Sequence, residues 1–133
     1  MNKILLVFFV ILVSNSLYAQ NGKVYFIRSD GFQPPAASFT VFMDGTTVGR
    51  LTNKRFSIHD VKPGTHTFSS QFVGNKSMKK AEKVKMQIEA GKTYYVQLIF
   101  NHGLGIFMNK MHIKEINEAS AKKLLPGLKE VKT

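Results

Sequence analysis

The stretch FMDGTTVGRLTNKRFSIHDVKPGTHTF, residues 42–68, decides the fold class of this chain. Apolar and polar residues alternate on both sides of two turn signals, Asp44-Gly45 and Pro63-Gly64. An Asp-Gly pair between alternating segments favours a two-residue hairpin. A Pro-Gly pair suits the two central positions of a type II turn, where the glycine takes a positive φ. The stretch therefore predicts two successive β-hairpins, with these four residues in structural turn positions.

Short segments with strand character flank this stretch on both sides. In KVKMQI, residues 83–88, Val84, Met86 and Ile88 alternate with polar residues, so one face is expected in the core and the other in solvent. The other segments are KVYFIR (23–28), FTVFM (39–43), HTFSSQF (66–72), TYYVQLIF (93–100) and KMHIKEI (110–116). Turn signals recur roughly every eight to twelve residues, which is typical of an all-β fold, and there is too little helix for crossover connections.

The C-terminal part carries the one helix signal that we identify. Asn117 is a candidate N-cap, and Pro126-Gly127 ends the helical pattern that follows it. The sequence therefore predicts an antiparallel β-sandwich of about seven strands, with one short C-terminal helix near residues 117–125.

The N-terminal segment has the layout of a signal peptide. Lys3 precedes an apolar run from Ile4 to Val13, and the small residue Ala19 is followed by Gln20. The run is too short to span a bilayer comfortably. We expect cleavage after Ala19, giving a signal peptide at 1–19 and a single β-sandwich domain at 20–133. An uncleaved anchor or a buried N-terminal strand is the alternative interpretation.

Composition restricts the class of partner. The chain has a formal net charge of +11, and because Lys3 contributes one unit, +10 remains for residues 20–133. The absence of cysteine excludes disulfides, thiolate catalysis and lipid attachment at a cysteine. We therefore expect an exported protein, periplasmic or secreted, that is not lipidated and has no transmembrane anchor after cleavage. Such a basic protein meets envelope polyanions before nucleic acid, so a nucleic-acid partner is not expected.

Four segments together resemble a known family: VYFIR (24–28), FTVFMDGTTVGRL (39–51), VKPGTHTF (61–68) and IEAGKTYYVQL (88–98). They are similar to a bacterial family of secreted and lipoprotein β-sandwich domains of unknown function, marked by DG..VG.L, PG.H and AGKTYYV motifs. The middle portion also resembles the PEGA domain. The resemblance implies an extracytoplasmic PEGA-like or prealbumin-like sandwich and offers no catalytic residues. The chain departs from the lipoprotein members because no cysteine follows the leader.

The four histidines do not form a metal-binding pattern. His66 is expected to border the core and to hydrogen-bond turn backbone. A hairpin centred on the Pro-Gly pair places His59 opposite Phe68 and separates it from His66, whereas a centre one residue earlier would place the two histidines opposite each other. His102 lies in a glycine-containing loop and His112 on another strand. No close spacing unites them, so we expect neither metal nor cofactor.

Catalytic patterns are also weak. Asp44 and Asp60 flank turns, and Asp30 lies in an open loop without a partner base. Gly103–Gly105 lacks the lysine-serine ending of a phosphate-binding loop. We therefore predict that the chain is not an enzyme, with a hydrolase or a metal-binding protein as the alternative.

A lysine cluster is the remaining functional signal. Because Val84 and Met86 are expected in the core, alternation places Lys83 and Lys85 outward. Such a charge run can serve solubility alone. Our hypothesis is a non-catalytic envelope module whose basic surface contacts an anionic envelope component or an acidic protein partner, the alternative being a purely structural domain of a larger envelope assembly. The candidate binding residues are Lys76, Lys79, Lys80, Lys83 and Lys85.

Overall fold

A computed structural model describes residues 20–29, 38–72, 81–101 and 110–132. In these ranges no helix combines the length and apolar character needed to cross a membrane. Several sequence predictions lie outside the described residues and stay predictions. They concern the signal peptide 1–19, Asp30, Lys76, Lys79, Lys80, His102 and Gly103–Gly105.

Within the described ranges the chain forms nine strands and one α-helix. The strands are β1 Gly22–Arg28, β2 Phe39–Met43, β3 Thr46–Leu51, β4 Arg55–Val61, β5 Gly64–Phe72, β6 Lys83–Ile88, β7 Thr93–Asn101, β8 Lys110–Ile116 and β9 Lys129–Glu130. The helix α1, Glu118–Leu124, continues into a 3₁₀ turn at Leu125–Gly127. Sheet A has the strand order β8-β7-β1-β4-β9, and sheet B has the order β3-β2-β5-β6. The predicted all-β sandwich with a short C-terminal helix is confirmed.

The core lies between the facing sides of the two sheets. It is built from alternate residues of each strand, because successive side chains of a strand point to opposite faces. On β6 the expected alternation is present: Met86 and Ile88 are buried, whereas Lys83 and Lys85 are exposed. The buried hydrophobic cluster comprises Val24, Phe26, Phe39, Val41, Leu51, Val61, Phe68, Met86, Ile88, Val96, Leu98 and Ile113.

The second predicted hairpin is wrong. Strand β4 pairs with β1 in sheet A, whereas β5 pairs with β2 and β6 in sheet B. The chain therefore crosses from one sheet to the other at Lys62-Pro63, instead of turning back within one sheet. His59 lies opposite Val24 and His66 opposite Met86, so the expected register of His59 with Phe68 is also wrong. A turn signal specifies the local backbone conformation but not which sheet the next strand joins. A hairpin and a crossing between sheets both bury one face of each strand, so alternation does not distinguish them.

Strand direction also departs from the expectation in two places. Strand β1 pairs in parallel with β7, with Tyr25 opposite Tyr95, and β9 pairs in parallel with β4. The remaining pairings are antiparallel. Since β1 and β7 are far apart in sequence, no turn between them specifies their relative direction.

The C-terminal segment adds a partial third layer on the outward face of sheet A. Asn117 caps α1, its Oδ1 accepting a hydrogen bond from Ser120 N at 2.8 Å. The helix contacts β7 and buries Ala121, and the chain then reaches β4 through β9. On this face the Tyr25 ring lies 5.1 Å from that of Tyr95 and 6.2 Å from that of Phe56. Strand β7 therefore has apolar residues on both faces.

Candidate functional site

The exposed lysines of β6 lie on the outward face of sheet B. Strand β6 is an edge strand, and its outward residues pair across the ladder with hydroxyl-bearing residues of β5. Lys83 lies opposite Ser69 and Lys85 opposite Thr67. At the end of the strand, the Thr65 hydroxyl donates to Gln87 Oε1. We call this surface the β6 lysine face: Thr65, Thr67, Lys83, Lys85 and Gln87, with the buried Ser69 at its inner margin.

Neither lysine of this face is engaged in an ion pair with a described residue. Glu82, which immediately precedes β6, is held by His112 of β8 at an Oε2–Nδ1 distance of 2.7 Å. By contrast, Lys92 pairs with Glu89 and Lys122 pairs with Glu118. The ammonium groups of β6 are therefore not neutralised by described carboxylates.

The middle of the same outward face is closed to solvent. Thr40, Phe42, Ser69 and Gln71 point away from the core by alternation, yet Phe42 is only 1% exposed and the other three are also buried. The exposed lysines of this face thus lie along β6 at one edge of the sheet, and the exposed Arg50 lies on β3 at the other edge.

A second cluster joins the two turns of the opening stretch. The Nδ1–H of His66 donates to Asp44 Oδ2 at 2.6 Å, and its Nε2–H donates to the Lys62 carbonyl at 2.8 Å. Asp44 Oδ1 accepts from the Thr67 backbone N–H at 2.9 Å. Carboxylate and carbonyl oxygens only accept, so the doubly protonated imidazolium form of His66 is the one that satisfies both contacts. We call Asp44 and His66 the turn clip.

The turn clip favours the charged form of both residues. The hydrogen bond to Asp44 raises the pKa of His66 above its ordinary value. The pKa of Asp44 is lowered, chiefly by the hydrogen bond from the Thr67 N–H and secondly by the hydrogen bond from His66. Asp44 and Gly45 both have positive φ, 52° and 82°, as a two-residue hairpin turn requires. The clip therefore joins the β2–β3 hairpin to the crossing between the sheets, which is a structural role.

The remaining described histidine, His59, lies between the sheets. Its Nε2 is 2.9 Å from the Ser57 hydroxyl, and its ring meets Phe26 edge-on at 5.4 Å. Burial lowers the pKa of His59. Ser57 is only 2% exposed, whereas His59 is half-buried. Over the described ranges, no three histidine or acidic side chains come together in an arrangement that could hold a metal ion.

Arg28 is a buried charged residue that was not among the predicted site residues. It is fully buried at the end of β1. Its guanidinium lies 3.7 Å above the centre of the Phe39 ring and donates to the Leu51 carbonyl at 3.0 Å. Because Phe39 and Leu51 belong to sheet B, Arg28 joins the two sheets from the inside. A strand ending in arginine is visible in the sequence, but its burial is not.

A cleft of about 420 Å³ lies where β7 begins and β8 ends. Two of its polar groups already have partners. Tyr94 Oη accepts from Glu89 N at 2.9 Å, and Glu118 pairs with Lys122 at 2.9 Å. No sequence pattern marks this cleft, because its walls meet only after packing. They are Thr93, Tyr94, Tyr95, Glu115, Ile116, Asn117 and Glu118.

Comparison with known proteins identifies one family. The profile of the family described as "Protein of unknown function (DUF2846)" matches residues 18–110. No curated protein and no solved structure matches the chain. The matched range contains both turns of the clip and the whole of β6.

Proposed function

The chain belongs to the DUF2846 family, whose description assigns no activity, and from that premise we propose that it is an exported, non-catalytic binding module of the cell envelope. The β6 lysine face contacts an anionic envelope component or an acidic protein partner. The PEGA-like form of the sandwich is part of the same proposal. It is supported by the positive-φ glycines at the two turn signals, Gly45 and Gly64, and by the two packed sheets.

The observation that carries the proposal is the orientation of Lys83 and Lys85. The buried Met86 and Ile88 fix the opposite side of β6 in the core, so the two lysines cannot turn inward without unfolding the strand. Neither is neutralised by a described carboxylate. In a chain of formal charge +11, this places two exposed positive charges on the same face of β6.

Export is supported by the leader layout of Lys3, the apolar run and Ala19. The intact mass of protein recovered from the periplasm or the medium tests this part. The proposal expects a chain that begins at Gln20. A recovered chain that retains Met1 would contradict it.

Binding to washed envelope fractions tests the functional part. The wild type is compared with Lys83→Glu/Lys85→Glu and with the control Lys114→Glu/Lys123→Glu, which makes the same charge change at exposed sites away from β6. Because the contact is Coulombic, wild-type binding should fall steeply as the Debye length shrinks from about 10 Å at 0.1 M salt to about 3 Å at 1 M.

The β6 variant should lose binding, and extending the reversal to Lys79 and Lys80 should deepen the loss. The control variant should retain most of the wild-type binding. Binding that is indifferent to salt, or that survives in the β6 variant, would refute the proposed function.

A further inference from the structure

Building on the proposed function, we propose that the anionic partner of the β6 lysine face is the phosphate-rich surface of a bilayer containing anionic phospholipid. The inference deepens the proposed function by committing to one kind of polyanion.

The geometry of β6 suits a surface better than a single small anion. Lys83 and Lys85 are two positions apart on one strand, so their side chains leave the sheet in the same direction about 7 Å apart. The residues beside them on β5, Thr67 and Ser69, have short side chains. Lys83 and Lys85 are exposed, and these β5 side chains are too short to enclose a bound anion between them.

The type of basic side chain, lysine rather than arginine, supports the same interpretation. Arginine forks recognise a phosphate or carboxylate with two parallel hydrogen bonds, whereas lysine acts as a flexible point charge. Lys83 and Lys85 are both exposed, and no described group holds them in place. Such side chains attract negative charge without selecting one anion geometry, as a layer of mobile headgroups requires.

Magnitudes favour a partner that engages several lysines at once. One exposed ion pair strengthens binding by at most about fivefold. Near an anionic bilayer each lysine contributes roughly a further factor of five, and the factors multiply because every lysine meets the same surface. Two fixed lysines thus give about 25-fold, and a small soluble anion that meets one lysine at a time does not gain this product.

The contact is peripheral and does not insert side chains. Strand β2 places one aromatic residue, Phe42, on the outward face of sheet B. Phe42 is buried and so is not exposed for insertion into a bilayer. The exposed residues of the face are lysine, threonine and glutamine. Glu82 is turned toward His112 and so does not project beside the two lysines. Attachment therefore depends on charge and is reversed by salt.

Vesicle co-sedimentation tests this inference with protein purified from cells that express the full chain. The vesicles contain phosphatidylcholine alone or phosphatidylcholine with about 30% phosphatidylglycerol, at low and high salt. Comparing the two compositions isolates charge, since apolar insertion would occur in both. We expect the wild type to prefer the anionic vesicles, and the Lys83→Glu/Lys85→Glu variant to lose about 25-fold or more of that preference. The Lys114→Glu/Lys123→Glu control should lose much less.

A parallel arm with soluble polyphosphate separates the two proposals. Binding to polyphosphate without binding to anionic vesicles would overturn the bilayer inference and leave the proposed function intact. Binding to neither, together with no binding to envelope fractions, would refute both. Equal losses in the β6 variant and the control would also overturn the inference, because net charge rather than the β6 lysine face would then control attachment.

Discussion

His66 donates a hydrogen bond to Asp44 across 2.6 Å, joining strand β5 to the turn between β2 and β3. Asp44 belongs to the hairpin between β2 and β3, whereas His66 follows the crossing from sheet A to sheet B and also bonds the Lys62 carbonyl. One imidazolium thus fixes the hairpin turn against the crossing. Both turn motifs that mark the sequence therefore meet at one contact.

A double-mutant cycle measures the strength of this contact. Asp44→Asn retains an oxygen for the Thr67 N–H and tolerates the positive φ at this position, and His66→Gln removes the cation. The two changes should show a coupling of about 1 kcal/mol in urea unfolding, because the pair is hydrogen-bonded but partly exposed. The matched cycle on Glu118 and Lys122, an exposed i,i+4 helix pair, should give a smaller coupling because both side chains are screened by solvent. A coupling near zero at the clip would show that the contact does not stabilise the fold.

The clip should make stability depend on pH in a defined direction. His66 has a raised pKa, so its contribution is complete below the ordinary histidine value of 6.5 and is lost as pH rises through the folded-state pKa. Asp44 has a lowered pKa, so its contribution is complete above the ordinary aspartate value of 3.8 and is lost as pH falls through the folded-state pKa. The stability difference between wild type and His66→Gln should therefore be largest between these two values and shrink at alkaline pH.

His59 acts in the opposite direction, and comparing these two proteins removes its effect. Burial lowers the pKa of His59, so the folded state loses stability as pH falls below 6.5. Because His59 is present in both the wild type and His66→Gln, its effect cancels in their difference. Chemical denaturation over a pH series gives that difference directly. A difference that grows toward alkaline pH would contradict the assigned imidazolium.

Gly64 should be far less tolerant of alanine than Gly127. Gly64 has φ 131°, a conformation that residues with a side chain rarely adopt, although a Cβ there would meet no atom within 4 Å. The expected loss for Gly64→Ala is about 1–3 kcal/mol, from backbone strain alone. Gly127 has the same open surroundings without a positive φ, so Gly127→Ala should change stability by less than about 0.5 kcal/mol. Equal unfolding midpoints for the two variants would exclude strain at Gly64.

Local patterns predict the strands well. The bounds of β2, β6 and β8 agree with the segments that alternation indicates, and Asn117 caps the helix as expected. The period of two is a property of each strand by itself, so it can be read without knowing the partner. The same property explains the failure at Val61–Gly64, since alternation records that one face is buried but not which sheet buries it.

The candidate sites are predictable only in part. Alternation alone is enough to place Lys83 and Lys85 outward. The bond between Asp44 and His66 joins residues 22 positions apart, and it depends on a crossing where the Pro-Gly signal predicts a hairpin. The burial of Arg28 against the Phe39 ring likewise depends on how the sheets stack. Contacts between elements require the topology, which the turn signals leave open.

Lysine footprinting in the presence of envelope membranes tests the central claim most directly. Exposed lysines are acetylated with and without membranes, and the modified positions are quantified by mass spectrometry. If the β6 lysine face is the contact surface, Lys83 and Lys85 should be protected, whereas Lys114 and Lys123, which are exposed elsewhere, should react at unchanged rates. Unchanged acetylation of Lys83 and Lys85 while the protein remains bound would contradict the account.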